Sequence, residues 1–161
     1  MKYLPYERIT YKTNLSEQEV LTRLSGFVEP KKFGLGRNPM KDYEGFVNKN
    51  SFEISRVIKN RNSFLPQING AIQENNYRTE IEVTMKLDVL VFVFLTFWCL
   101  INIGVFITIG LTEKKMSLEF FMPLLMLLFV YALTMVGFKS ESKQSKEYLK
   151  RSFEAEIIRE S

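Results

Sequence analysis

The sequence predicts an α+β membrane protein, and three observations carry that expectation. Its first half is made of short alternating segments separated by polar turns. Two long uncharged runs follow, Val89 to Leu111 and Phe120 to Phe138. A charged segment with apolar residues at helical spacing closes the chain. The organisation expected is a cytosolic α+β domain at 1–88 with a strand, a helix and a four-strand antiparallel sheet. A transmembrane hairpin at 89–138 comes next, with spans at 89–111 and 120–138. A C-terminal amphipathic helix at 139–161 could pack on the N-terminal sheet.

The first strand is read at 7–13, where Ile9, Tyr11 and Thr13 alternate with Arg8, Thr10 and Lys12. Ser16 and Glu19 then form a capping box, and Leu15 can staple onto Val20. Val20, Leu21 and Leu24 give that helix an apolar face, Gly26 offers a C-terminal stop, and Pro30 marks a break. Residues 31–42 read as a loop carrying Gly34, Gly36, Lys31, Lys32, Arg37 and Lys41. Gly34-Leu35-Gly36 lacks the lysine and serine of a phosphate-cradling loop, so a basic surface loop is the expectation.

Four strand-like segments follow at about 43–48, 51–58, 63–73 and 77–87. In the last, Tyr77, Thr79, Ile81, Val83, Met85 and Leu87 alternate with charged and polar residues. One face is expected on a core and the other in water, as in an antiparallel meander. Pro66 in the third segment suggests an edge strand or a bulge. Only Asp88 separates the last strand from the first apolar run, so the domain is expected close to the membrane surface.

The first run has 23 residues without a charge and the second 19. At about 1.5 Å per residue the first reaches roughly 34 Å, enough for a hydrocarbon core of about 30 Å. Pro123 is read in the first turn of the second span, where a missing N–H costs little. Thr96, Asn102, Thr108 and Thr134 are the polar residues singled out inside the runs. An amide at mid-bilayer needs a partner, so Asn102 is the candidate intramembrane polar contact. It would bond either to the second helix of its own hairpin or across subunits of a homo-oligomer.

After Phe138, Leu149, Phe153 and Ile157 recur every four residues among Lys, Arg and Glu from Ser142 to Ile158. This helix would cover the sheet or lie flat on lipid. Residues 1–88 carry 14 Lys and Arg, whereas the loop between the runs carries only Lys114 and Lys115. The positive-inside rule therefore places both termini in the cytoplasm.

Hydrophobic residues make up 46% of the chain, an ordinary average that hides their concentration in the two runs. The formal charge of +4 suits a protein beside anionic lipid and is too small and too spread to argue for nucleic acid. The chain has no histidine, which removes the commonest general base and metal ligand. Its single cysteine, Cys99, sits in an apolar run and cannot form an internal disulfide. Too few ligands exist for a structural zinc site. No apolar segment at the N-terminus reads as a signal peptide, and no Gly at position 2 offers a myristoylation site. No catalytic constellation and no cofactor is expected.

The stretches Tyr43-Glu44-Gly45, Ser51-Phe52-Glu53-Ile54-Ser55-Arg56 and Arg61-Asn62-Ser63-Phe64-Leu65-Pro66-Gln67-Ile68-Asn69-Gly70, with the junction Gly137-Phe138-Lys139-Ser140-Glu141-Ser142-Lys143, carry a resemblance. With them the chain resembles a family of small uncharacterised bacterial proteins with a polar N-terminal domain, two closely spaced membrane helices and a short charged tail. The resemblance implies that layout and a bacterial inner membrane; it implies no activity. The order of strand, helix, meander and covering helix is also similar to small helix-on-sheet domains of the pleckstrin-like or lipid-transfer type, as an analogy of fold.

Candidate binding residues are Arg37, Arg61, Asn62 and Phe64: cations and an amide to donate, and a ring to stack. The alternative for Asn62 to Pro66 is a strand start with Phe64 and Leu65 in the core. The function expected is a non-catalytic, membrane-anchored cytoplasmic binding or scaffolding module. Its partners would be the lipid bilayer and a cytosolic protein or small ligand. The alternative is a ligand-gated effector whose hairpins oligomerise to permeate the bilayer.

Overall fold

The alternation in the first half of the chain builds a single sheet. The computed structural model describes residues 3–31, 40–58, 62–75, 78–112 and 118–160. The strands are β1 (Tyr6–Thr13), β2 (Val28–Pro30), β3 (Tyr43–Val47), β4 (Ser51–Arg56), β5 (Pro66–Asn75), β6 (Arg78–Leu87) and β7 (Glu156–Glu160). The helices are α1 (Glu17–Phe27), α2 (Val89–Thr112) and α3 (Leu118–Ser152). The sheet order is β2-β3-β4-β5-β6-β1-β7.

Strands β3 to β6 form the expected antiparallel meander. β1 pairs with the last of them, Tyr6 opposite Lys86 and Thr13 opposite Thr79. Two edge strands lie outside the sequence pattern. β2 runs parallel to β3 for three residues, and β7 runs antiparallel to β1. Pro66 opens β5, which lies between β4 and β6, so this proline marks neither an edge strand nor a bulge. A first position in a strand is where a missing N–H is tolerated.

One face of the sheet is apolar and buried, with Ile9, Tyr11, Phe52, Ile54, Ile68, Ile72, Ile81, Val83 and Met85. Gly45 in β3 has φ +157, and a Cβ there would fall on the Glu53 carbonyl of β4. The close β3–β4 approach at that point thus requires glycine.

The capping box starts α1 as the sequence implies. Ser16 Oγ accepts from the Glu19 amide at 3.3 Å, and the Glu19 carboxylate accepts from the Ser16 amide at 2.8 Å. Gly26 does not stop the helix, which runs to Phe27; Val28 then turns extended and leads straight into β2. Asp88 caps α2, its Oδ1 accepting from the Leu90 amide at 2.8 Å. Its other oxygen accepts from Gln67 Nε2 of β5, which ties the strand-to-helix junction to the sheet.

The largest departure from the sequence reading is α3. In place of a span at 120–138 and a separate helix at 142–158, one helix of 35 residues runs unbroken from Leu118 to Ser152. Pro123 is its sixth residue, beyond the first turn. The second half of α3 crosses the apolar face of the sheet. Phe138, Ser142, Ser145 and Leu149 form its buried stripe at intervals of three or four residues, continued by Phe153 just past its end, and the two small serines let the helix approach closely.

α3 ends in a Schellman motif. The Glu154 amide donates to the Arg151 carbonyl at 3.2 Å and the Ala155 amide to the Lys150 carbonyl at 3.0 Å. Glu154 takes the left-handed conformation, φ 47. Ile157 therefore lies in β7 and not on a helix face.

Both α2 and the first part of α3 are long and apolar enough to cross a membrane. Only 6% and 11% of their most apolar stretches are buried, so the chain itself leaves these helices uncovered.

Candidate functional site

The residues singled out by sequence do not gather in one place. Arg37 and Arg61 lie outside the described residues. Asn62 and Phe64 come together where the sheet meets the two long helices. Asn62 Oδ1 accepts from the Phe64 amide at 2.9 Å, an Asx turn that aims the ring at α3. There Gly137 makes room: a Cβ on it would sit 3.0 Å from the Phe64 ring. Asn62 Nδ2 also reaches the Gly137 carbonyl at 3.4 Å. Both side chains are half-buried and spent on this joint.

Asn102 is the buried residue of α2, and among the described residues it shows no hydrogen bond to α3. Its Nδ2 donates to the Trp98 carbonyl one turn earlier, at 2.9 Å. Thr134 does the same on α3, donating to the Val130 carbonyl at 2.8 Å. Back-bonding along the same helix satisfies a polar side chain in an apolar setting without a partner.

A cleft of about 750 Å³ lies beside the outer half of α3, lined by Arg56, Ser140, Lys143, Gln144, Glu147, Tyr148, Arg151 and Ser152. Helical spacing puts Lys143, Glu147 and Arg151 on one ridge, four residues apart. Arg56 at the end of β4 forms the opposite wall. It donates to Glu141 at 2.9 Å and to Gln144, and is thereby held against the helix. Lys143 and Arg151 have no ion-pair partner among the described residues and are exposed.

Tyr148 closes the floor of the cleft, donating to Asp42 at 2.9 Å and packing on Tyr43 and Phe27 with ring centroids 5.1 and 5.2 Å apart. Burial first, and then the bond to Asp42, push its phenol up to about 12, so it remains a neutral donor. Burial raises Tyr43 as well, offset in part by Ser145. Arg56, Lys143 and Arg151 give the cleft lining three cations against the one carboxylate of Glu147.

A second polar cluster ties α3 to β1 at the end of the sheet nearest the long apolar helices. Lys139 Nζ donates to Glu7 at 2.7 Å and Ser142 Oγ to its other oxygen at 2.6 Å. Burial alone would raise the Glu7 carboxyl. The bonds from Ser142 and Lys139, with the charge of Lys139 and Lys146, outweigh it and hold the pKa below the usual carboxylate value. Among the described residues, no group of three or more His, Cys, Asp or Glu side chains is placed to hold a metal ion.

Sequence reasoning missed the cleft because its walls lie far apart in the chain. Lys143 and Arg151 belong to the charged segment after the second run and Arg56 to a strand-like segment, and no spacing rule joins them. Compared with known proteins, the chain matches no family model, no curated protein and no solved structure.

Proposed function

We propose that the chain is a membrane-anchored, non-catalytic binding module of a bacterial cytoplasmic membrane, with both termini on the cytoplasmic side. The observation that carries this reading is the continuity of α3. One helix supplies an uncovered apolar segment of membrane-spanning length and, from Phe138 onward, the stripe that covers the apolar face of the sheet. A domain built on such a helix is held at a fixed height and angle rather than tethered. The cleft lies along the first four turns after the span, so Arg56, Lys143 and Arg151 present it to a ligand or partner segment of net negative charge beside the bilayer.

Two measurements test the anchor. The protein should stay in the membrane pellet after alkaline extraction, and a reporter active only in the periplasm should stay silent when fused after Ser161. Release by alkali, or an active reporter, overturns the reading. The second reading, a ligand-gated effector, draws on the same helix, which could pass a signal from cleft to hairpin. The bond from Asn102 Nδ2 to Trp98 within its own helix supports the anchor. Asn102→Leu should leave oligomer size unchanged. A wild-type ion leak in liposomes that vanishes in Asn102→Leu would replace the binding module with the effector.

A further inference from the structure

The end of the sheet that meets α2 and α3 carries two short segments that the cleft does not use. β1 begins at Tyr6 opposite Lys86, beside the point where β6 gives way to α2. The chain preceding Tyr6 therefore heads toward the long helices. Tyr131 Oη donates to the Tyr3 carbonyl at 3.1 Å. Tyr131 is seven residues before Phe138, about 10 Å down the apolar part of α3.

A backbone carbonyl at the boundary of the apolar layer has few waters to bond, and the Tyr131 phenol meets the need. Tyr3 is 78% exposed and Leu4 51%, so their side chains face outward from the protein at this level. The segment bends at Leu4 and Pro5 before β1 begins.

The other segment is the Asx turn at Asn62. Phe64 roofs an apolar niche of about 210 Å³ between α2 and α3, whose walls are Phe94, Leu95, Trp98, Val130 and Leu133. Phe94 and Leu133 each lie five residues inside their apolar runs, about 7.5 Å. The niche exposes no polar surface.

We infer that this end of the sheet is a lipid-contacting collar. Tyr3 and Leu4 enter the bilayer at the boundary between headgroups and acyl chains, and an acyl chain fills the niche beneath Phe64. The collar rests on the membrane-anchor reading above. It adds that the domain is sunk into the interface, with α3 gripped between two lipid-facing segments. The Lys139–Glu7 pair, one residue past Phe138, and Asp88, one residue before Val89, are then the first charges above the apolar layer.

The test uses the single native tryptophan, Trp98, and the intact chain in liposomes. Lipids brominated near the headgroup end or near the methyl end of the acyl chain quench an indole according to its depth. Native Trp98 should be quenched most by the deeply brominated lipid. In Trp98→Phe, a second change, either Leu4→Trp or Phe64→Trp, supplies the collar probe. Each introduced indole should emit blue-shifted from its value in water and lose roughly half its intensity to the shallow-brominated lipid. If Trp98 is quenched but either introduced indole is not, the collar is overturned and the anchor stands. If Trp98 itself escapes quenching by every brominated lipid, the membrane reading fails first and the collar with it.

Discussion

Removing the Phe153 ring should open the sheet domain without touching the apolar helices. Phe153 is fully buried where the end of α3 meets the sheet. Its ring lies 6.4 Å from Tyr11, 6.4 Å from Phe27 and 6.3 Å from Phe52, edge-on or tilted. Phe→Ala in a well-packed core costs about 3–5 kcal/mol. Three ring neighbours, from β1, α1 and β4, place this site in the upper half of that range, since aromatic pairs add about 0.5–1.5 kcal/mol beyond area. The Phe153 carbonyl, which accepts from Thr13 Oγ1 at 2.7 Å, is kept by alanine, so the loss is one of packing alone.

A loss of about 4–5 kcal/mol raises the open population roughly a thousandfold, against a total stability of about 5–15 kcal/mol. Limited proteolysis of membrane-embedded protein reads that population when reclosing outruns cleavage. Digestion of the polar domain by an added protease should accelerate by at least two powers of ten, with the segment from α2 to the middle of α3 still protected by lipid. Digestion within threefold of wild type would refute the claim that Phe153 clamps α3 to the sheet.

Three further outcomes follow from single sites. Gly45→Ala should destabilise the domain by about 2–4 kcal/mol, because the methyl would collide with the Glu53 backbone carbonyl, which cannot swing aside; thermal melting followed by tyrosine fluorescence checks it. Glu154→Gly should raise the melting temperature slightly. Relief of a left-handed residue is worth about 1 kcal/mol, and the exposed Arg23–Glu154 pair that is lost contributes about 0–1.

Glu7 supplies the pH dependence. Its folded pKa is lowered, so its stabilisation is complete above the unfolded value of about 4.3 and is lost as pH falls through the lowered folded value. Wild type should exceed Glu7→Gln in melting temperature at neutral pH, and the gap should close on acidification below that range. A gap that widens toward low pH would contradict the bonds from Lys139 and Ser142.

What the sequence determined by itself was set by local rules. Strict alternation at 78–87 specifies a half-buried strand wherever its partners lie. The Ser16–Glu19 capping box satisfies its own helix end within four residues. The uncharged runs announce two long apolar helices through composition alone. Tertiary structure decided the rest. The 142–158 segment reads as a helix because its apolar residues recur every four positions. The helix stops at Ser152 because Glu154 accepts a left-handed conformation that glycine usually announces, with Arg23 from α1 donating to the Ser152 carbonyl at 2.9 Å. The residues freed by that stop pair with β1, an edge that exists only once the sheet has formed. β2 is three residues long, below the length at which periodicity can be read. Asn102 satisfies itself on Trp98, a choice that no spacing rule ranks above a bond to the neighbouring helix. The cleft was invisible for a related reason: Arg56 and Glu141 stand 85 residues apart, and only the packing of α3 across β4 makes them neighbours.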